Sequence, residues 1–406
     1  MSQNHRRPTA AAPHAVRDRV RLLFLIRELS VGGAERQLAA LARGLDKARF
    51  DVTVAAMYAG GGMWEDLARS ENVRLVSLDK GGRWDTLAFA RRLIGLAREI
   101  RPHLVHGYMI PANELSLLAG RAVGAKVAWG IRISDQDFSR YTTFRRVVHR
   151  TGTRLSRFPD LLIANSHAGR ASHIAEGYPA ENFIVIPNGI DVEAFRPDAE
   201  AGARWRAANG IDAAETVIGL PARLDPMKDH HSFLAAVARL SADLGARTPL
   251  FVCAGNGEPA FRAELEAEAR RLGVAERVRW MPAVREVTGL YNGVDLVTSA
   301  SAFGEGFPNV LGEAMACGTP CVAATSGDAA AVIGDTGVAV PPRDPPALAT
   351  GWRTLLAMRP EERRALGARA RERIATEYTI ARLVERSSRA FEAVVRGEHA
   401  VGVSAA

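Results

Sequence analysis

The chain has 406 residues, 24% charged and 47% hydrophobic, with 37 glycines and 20 prolines spread along it. That composition excludes a disordered or fibrous chain, and the length predicts two globular domains. Net charge is +8 and uneven: residues 1–190 hold 28 Lys and Arg against 17 Asp and Glu, whereas residues 191–406 hold 25 against 28, so the first half would face an acidic partner.

In chain order, residues 1–19 are polar, basic and alanine-rich and read as a flexible leader. The first apolar run, LLFLI, is flanked by arginines. It falls far short of the roughly 18 residues of a membrane span, so it reads as a first strand and not as a signal peptide. RLLFLI, VTVAAM, VRLVSL, HLVHGY, KVAWGI and DLLIAN are predicted strands, alternating with helical stretches such as AERQLAALARGL and WDTLAFARRLIGLAREI. This alternation predicts a parallel sheet. The segment RYTTFRRVVHRTGTRLSRF carries Arg140, Arg145, Arg146, Arg150, Arg154 and Arg157 at spacings that crowd one side of a helix. Such a face is either solvated or lies on anionic lipid, where each cation contributes about 1 kcal/mol. Nucleic acid is not expected, because no nucleic-acid motif accompanies the charge.

FIVIPNGIDVEAFRPDAE runs from a strand into an Asn-Gly turn and suggests a domain boundary near residues 188–200. Beyond it TVIGLP, LFVCAG, VRWMPA, DLVTSA, CVAAT and GVAVP repeat the strand pattern, and YTIARLVERSSRAFEAVV is an amphipathic helix by its apolar spacing. Cys253, Cys317 and Cys321 are odd in number and sit in apolar segments, which argues for small packing residues and a reducing cytoplasm. Cys317 and Cys321 lack a further Cys or His at metal-ligand spacing.

The densest motif is EGFPNVLGEAMACGTPCV, which sets Glu305 and Glu313 eight positions apart across a glycine-proline break into a helix. Gly306 permits close backbone approach, Pro308 suits the first helical position, and the amides that follow favour an anion such as a diphosphate. Glu313, more than a turn inside the helix, could accept two hydrogen bonds from a ribose diol, and Glu305 could reach a sugar hydroxyl. Upstream, VIGLPARLDPMKDHHSFLAAV places Arg223 and Lys228 at a strand's end, a cation pair suited to a diphosphate.

These pieces together resemble the retaining glycosyltransferases of family 4 (glycosyl transferases group 1), over nearly the whole chain. The resemblance implies an α/β chain of GT-B architecture, two Rossmann-like parallel-sheet domains facing each other across a cleft. Residues 20–190 would be the acceptor-side domain, residues 191–375 the nucleotide-sugar-binding domain, and residues 376–406 a helix crossing back to the first. It implies Glu305 on the donor sugar, Glu313 on the ribose, Arg223 and Lys228 on the phosphates, and backbone contacts from Gly306, Phe307, Pro308, Asn309 and Val310, with Gly255 and Asn256 also in donor-side loops. The turn holding Gly32, Gly33 and Glu35 matches the family's glycine-rich loop. The acceptor then approaches from first-domain strand ends, where His106, Tyr108, Asn113, Arg132, Ser134, Asp135 and Asn188 are candidates, with His106 also a candidate catalytic acid, base or orienter. Many family members keep a histidine at the end of the next strand, where this chain has GIRISDQD.

The expected reaction is transfer of a hexose or acetamido-hexose from a nucleoside diphosphate sugar to a glycan, lipid-linked, in polysaccharide biosynthesis. No cofactor and no metal would be needed, and the enzyme would be cytoplasmic, peripheral at the inner face of the cell membrane. The alternatives are a sugar-nucleotide epimerase on the same fold, a glycosidase with paired carboxylates, and a non-catalytic scaffold that binds membrane or glycan.

Overall fold

The computed structural model describes residues 19–30, 32–82, 85–134, 150–284 and 287–398. Two parallel sheets, each flanked by helices, form the molecule. The first has seven strands: β1 (Val20–Ile26), β2 (Phe50–Ala56), β3 (Val73–Ser77), β4 (Leu104–Tyr108), β5 (Lys126–Ile131), β6 (Leu161–Ala164) and β7 (Phe183–Val185), in the order β3-β2-β1-β4-β5-β6-β7. The second has six: β8 (Val217–Pro221), β9 (Leu250–Ala254), β10 (Val278–Met281), β11 (Leu296–Ser299), β12 (Cys321–Ala324) and β13 (Gly337–Val340), in the order β10-β9-β8-β11-β12-β13. Every strand predicted from its apolar run is present.

The strands read as unbroken apolar runs because helices cover both faces of each sheet. Phe24 and Ile26 of β1 enter one core beneath helix Gly33–Gly44, while Leu23 and Leu25 enter the opposite core against helix Thr86–Ile100. In the second sheet Val217 and Val297 face one side, and Ile218 and Leu296 the other. The three cysteines are free and buried in these cores.

In each sheet the order reverses beside its first strand, so the chain diverges between β1 and β4 and again between β8 and β11. Ligand crevices of open parallel sheets form at the carboxyl ends of strands at such points. The loops after β1 and β4 hold the glycine-rich turn and Met109 to Pro111. Those after β8 and β11 hold Arg223 with Lys228, and Glu305 with Gly306.

The last helix, Ile380–Val395, leaves the second sheet and buries Leu383, Ala390, Phe391 and Val394 in the core around β1 and helix Gly33–Gly44. Its start is tied by a backbone exchange in which Ile190 donates to Tyr378 at 2.7 Å and Ile380 donates to Ile190 at 3.3 Å.

Candidate active site

The loop after β11 turns into helix Asn309–Ala316 through Pro308, which is the N-cap and not the first helical residue as its chemistry suggests. Asn309 takes the first position and its side chain meets Gly33 and Asn188 of the first domain, so the helix N-terminus, which favours anions, lies where the two domains meet. Glu313, on this helix, is 4% exposed. Tyr291 donates its hydroxyl to Glu313 Oε2 at 2.7 Å, and Arg36 Nη1 stands 3.0 Å from Oε1. Burial pushes the Glu313 carboxyl up, against the lowering pull of Arg36 and Tyr291. Arg36 belongs to helix Gly33–Gly44 of the first sheet, so this ion pair crosses the cleft.

Glu305 is ion-paired with Lys228, and Ser301 donates to the same oxygen, Oε1, at 2.6 Å. Burial pushes its carboxyl up, but Lys228, Ser301 and Arg223 together outweigh that and hold it below its ordinary range. Glu305 therefore stands ionised beside a cation that a diphosphate would share. Arg223 is 71% exposed, 3.5 Å from Asp225, and does not join the Lys228–Glu305 pair directly.

Other predicted residues serve the scaffold. Gly255 lies so close to the Ala222 carbonyl that a Cβ would stand 1.9 Å from it. The Asn256 side chain accepts from the Ala283 amide at 3.0 Å and is occupied by that turn. The Phe307 ring is buried against Tyr378, centroids 5.3 Å apart, so only its backbone borders the crevice. Val310 packs against the second core. Asn113 donates to the Gly130 carbonyl and accepts from the Gly130 amide, both at 3.2 Å, which spends its amide on pinning helix Ala112–Val123 to β5.

His106 lies in the core beneath the first-domain wall. It is 1% exposed, with Phe24, Tyr108 and Phe391 at centroid distances of 5.4, 5.3 and 5.5 Å, and neither ring nitrogen has a partner. Burial, with Arg132 adding to it, lowers its pKa to about 3. The imidazole is therefore neutral in the fold and enclosed by aromatic rings, an environment that serves core packing.

The first-domain wall meets the Glu305 loop closely. Asn188 donates to Asn309 Oδ1 at 2.8 Å, Ser134 donates to the Glu305 carbonyl, and the carboxylate of Asp328 accepts from the amides of His167 and Ala168 at 2.7 and 2.9 Å. Gly33 approaches Asn309 so that a Cβ would stand 2.8 Å from its Nδ2. Gly32 caps helix Gly33–Gly44, and the Glu35 carboxylate folds back over it toward Ser30, its pKa raised by burial. Tyr108 is buried with Arg132 over its ring at 4.2 Å. Asp135, with Arg140, Arg145 and Arg146, lies outside the described residues.

Four contributors escape sequence reasoning. Arg36 directly follows the flagged Glu35, and Ser301 lies four residues before Glu305; both stand beside legible motifs. Asn165, at the end of β6, faces Gly306, whose Cβ would stand 2.3 Å from Asn165 Oδ1. Tyr291 comes from the short helix Thr288–Gly293, and nothing in its sequence marks it.

Two opposed Rossmann-like sheets with their switch-point loops meeting in a cleft define a GT-B fold. The chain is a GT-B-fold glycosyltransferase related to family 4: residues 31–194 match the Glycosyltransferase Family 4 model, and residues 215–358 match the Glycosyl transferases group 1 model. Among its relatives is EpsF of Bacillus subtilis (strain 168), named as a glycosyltransferase, 28% identical over 315 residues that cover 75% of this chain and 79% of that one. A D-inositol 3-phosphate glycosyltransferase of Segniliparus rotundus is 36% identical over 215 residues, 51% of this chain and 46% of that protein, so about half of that relative is spanned. The crystal structure of Anabaena HepE in complex with UDP and glucose superposes with a TM-score of 0.77 at 22% identity, covering 90% of this chain and 98% of that one.

Proposed function

We propose that the enzyme transfers a hexose or acetamido-hexose from a nucleoside diphosphate sugar to a lipid-linked glycan in cell-surface polysaccharide synthesis, with retention of configuration and no metal. The observation that carries this reading is the ion pair between Lys228, after β8, and Glu305, after β11, with Glu305 eight residues before the buried Glu313 on the helix that follows. Glu305 keeps Oε2 for a sugar hydroxyl, Lys228 and Arg223 face the diphosphate, and Glu313 takes the ribose once Arg36 yields. The C1–oxygen bond to the diphosphate breaks with its electron pair leaving on the phosphate oxygen. The acceptor hydroxyl oxygen bonds to C1 from the same face and its proton passes to that phosphate oxygen. Cations and helix amides aimed at the departing charge supply the main acceleration. The HepE structure, described with UDP and glucose, supports a nucleotide-sugar donor here.

The test is calorimetry of nucleoside diphosphates and their sugars with a chelator present. One nucleotide should bind selectively, and Glu313→Ala should weaken it about 10- to 100-fold, the value of one or two hydrogen bonds to a charged acceptor. No binding by the folded wild type across the panel would overturn the donor assignment.

Peripheral contact with the inner membrane face is part of the proposal. Among the described residues no helix is long and apolar enough to cross a membrane. Arg150, Arg154 and Arg157 are exposed, and beside them Phe158 is 49% exposed with the Arg121 guanidinium 4.7 Å from its ring centroid. Pelleting with anionic vesicles should fall as salt rises from low to high, since a Debye length shrinks to about 3 Å at 1 M. Salt-independent pelleting, or none, would remove the membrane from the proposal.

A further inference from the structure

At the first-domain side of the cleft, three buried polar groups remain unmatched. Arg132 follows β5 and is 9% exposed, yet among the described residues no carboxylate pairs with it. Among the described residues its hydrogen bond goes to the neutral Asn188 Oδ1 at 3.4 Å, its Nε has no partner, and the face of the Tyr108 ring supports it. The Tyr108 hydroxyl and Asn165 Oδ1 are likewise buried without partners. The guanidinium lies over the Tyr108 ring, and Asn165 and the Arg132 backbone both border Gly306. Burying such groups unmatched is costly, and a group that completes their hydrogen bonds recovers that cost. The neighbouring His106 supplies no negative charge in either protonation state and cannot balance the guanidinium.

We propose that Arg132, Tyr108 and Asn165 form a seat for an acidic group, phosphate or carboxylate, carried by the glycosyl acceptor. Arg132 presents the forked donors that suit two oxygens of such a group, Tyr108 adds a third donor, and Asn165 accepts from an adjacent hydroxyl. The seat adjoins the reacting loop: a Cβ on Gly306 would stand 3.0 Å from the Arg132 carbonyl and 2.3 Å from Asn165 Oδ1. It belongs to the acceptor because the donor diphosphate already has Lys228 and Arg223 on the opposite domain, and because positive charge is concentrated in residues 1–190. The proposal rests on the reading of the chain as a nucleotide-sugar transferase.

The experiment loads the full chain with UDP and titrates inorganic phosphate, methyl glucuronide and neutral methyl glucoside by calorimetry. Phosphate or glucuronide should bind where the glucoside does not, and whichever binds more tightly identifies the acidic group. Arg132→Gln should weaken that anion about 10-fold or more while UDP affinity holds within about twofold. Its thermal midpoint should not fall, because the change removes an unpaired buried charge. If the Gln variant does not fold, Arg132→Lys, which keeps charge but loses the fork, should still weaken the anion by about threefold or more while UDP affinity holds. The proposal is overturned if neither anion binds, if the variant binds it as well as wild type, or if UDP affinity falls equally, which would move Arg132 to the donor diphosphate. Should UDP itself fail to bind wild type, the donor reading fails, and the same anion titration on nucleotide-free protein still decides the seat.

Discussion

His106 and His230 sit where water does not reach, and both lack hydrogen-bond partners. Burial first, then nearby cations, lowers their pKa values to about 3 and about 4, against 6.5 for a free imidazole. The sign follows: between 6.5 and those values the unfolded chain takes up protons that the folded chain refuses, so acidification favours unfolding. Each histidine contributes a loss of roughly 1.4 kcal/mol per pH unit in that window. Glu313 acts oppositely, because its raised pKa makes protonation near and above 4.5 favour the folded state, which offsets part of the loss. Denaturant titrations at pH 7, 6 and 5 should show stability falling, and His106→Phe, a ring that suits the Phe24 and Phe391 surroundings, should make the fall shallower by about one histidine's share. An unchanged slope would mean that His106 is protonated in the fold. Sequence could not separate this role from catalysis, since HLVHGY reads alike whether the imidazole meets solvent or Phe391, a residue brought in from the far end of the chain.

Among elements, the loop and helix from Ser301 to Ala316 carry most of the site, and their spacing was the part best legible beforehand. Two carboxylates at a fixed interval across a Gly-Pro break constrain both local structure and ligand chemistry, so Glu305 and Glu313 could be found without coordinates. Pro308 was misplaced by one residue, because N-cap and first helical position tolerate the same missing amide. The partners were not legible: Lys228 meets Glu305 across 77 positions, and Tyr291 meets Glu313 from a different helix. Gly306 binds this element to the opposite domain. Gly306→Ala would drive a methyl toward Asn165 Oδ1 and the Arg132 carbonyl, so the two walls could no longer close together. Turnover should fall about 100-fold, as expected for ångström-scale misplacement of reacting groups, while the thermal midpoint stays near wild type. Full activity in this variant would show that catalysis does not require the contact.

At the scale of the molecule, strand alternation announced two parallel sheets, and six strands of the first follow the same order as the six of the second, which gives each sheet a switch point beside its first strand. Which helices seal which sheet was less accessible, since an amphipathic stripe does not name the surface it covers. Helix Ile380–Val395 covers the first sheet although it follows the second, with Phe391 fully buried near Phe24 at a centroid distance of 6.0 Å. Phe391→Ala should destabilise the first domain by about 3–5 kcal/mol through the cavity it leaves. Hydrogen exchange should show the loosening in β1 and β4 before β8 and β11, and equal loosening of both sheets would show that the helix stabilises the molecule as one unit.

That returning helix also sets a timetable. Domains ordinarily fold as they leave the ribosome, the earlier one first. Here the sheet made first holds a groove around Phe24 and Leu38 that Leu383, Ala390, Phe391 and Val394 close. During synthesis that groove stays open beside helix Gly33–Gly44 while every strand of the second sheet is produced. A nascent chain of this enzyme is therefore most exposed to wrong association and to chaperone capture at its oldest part, and the final turns of helix release it.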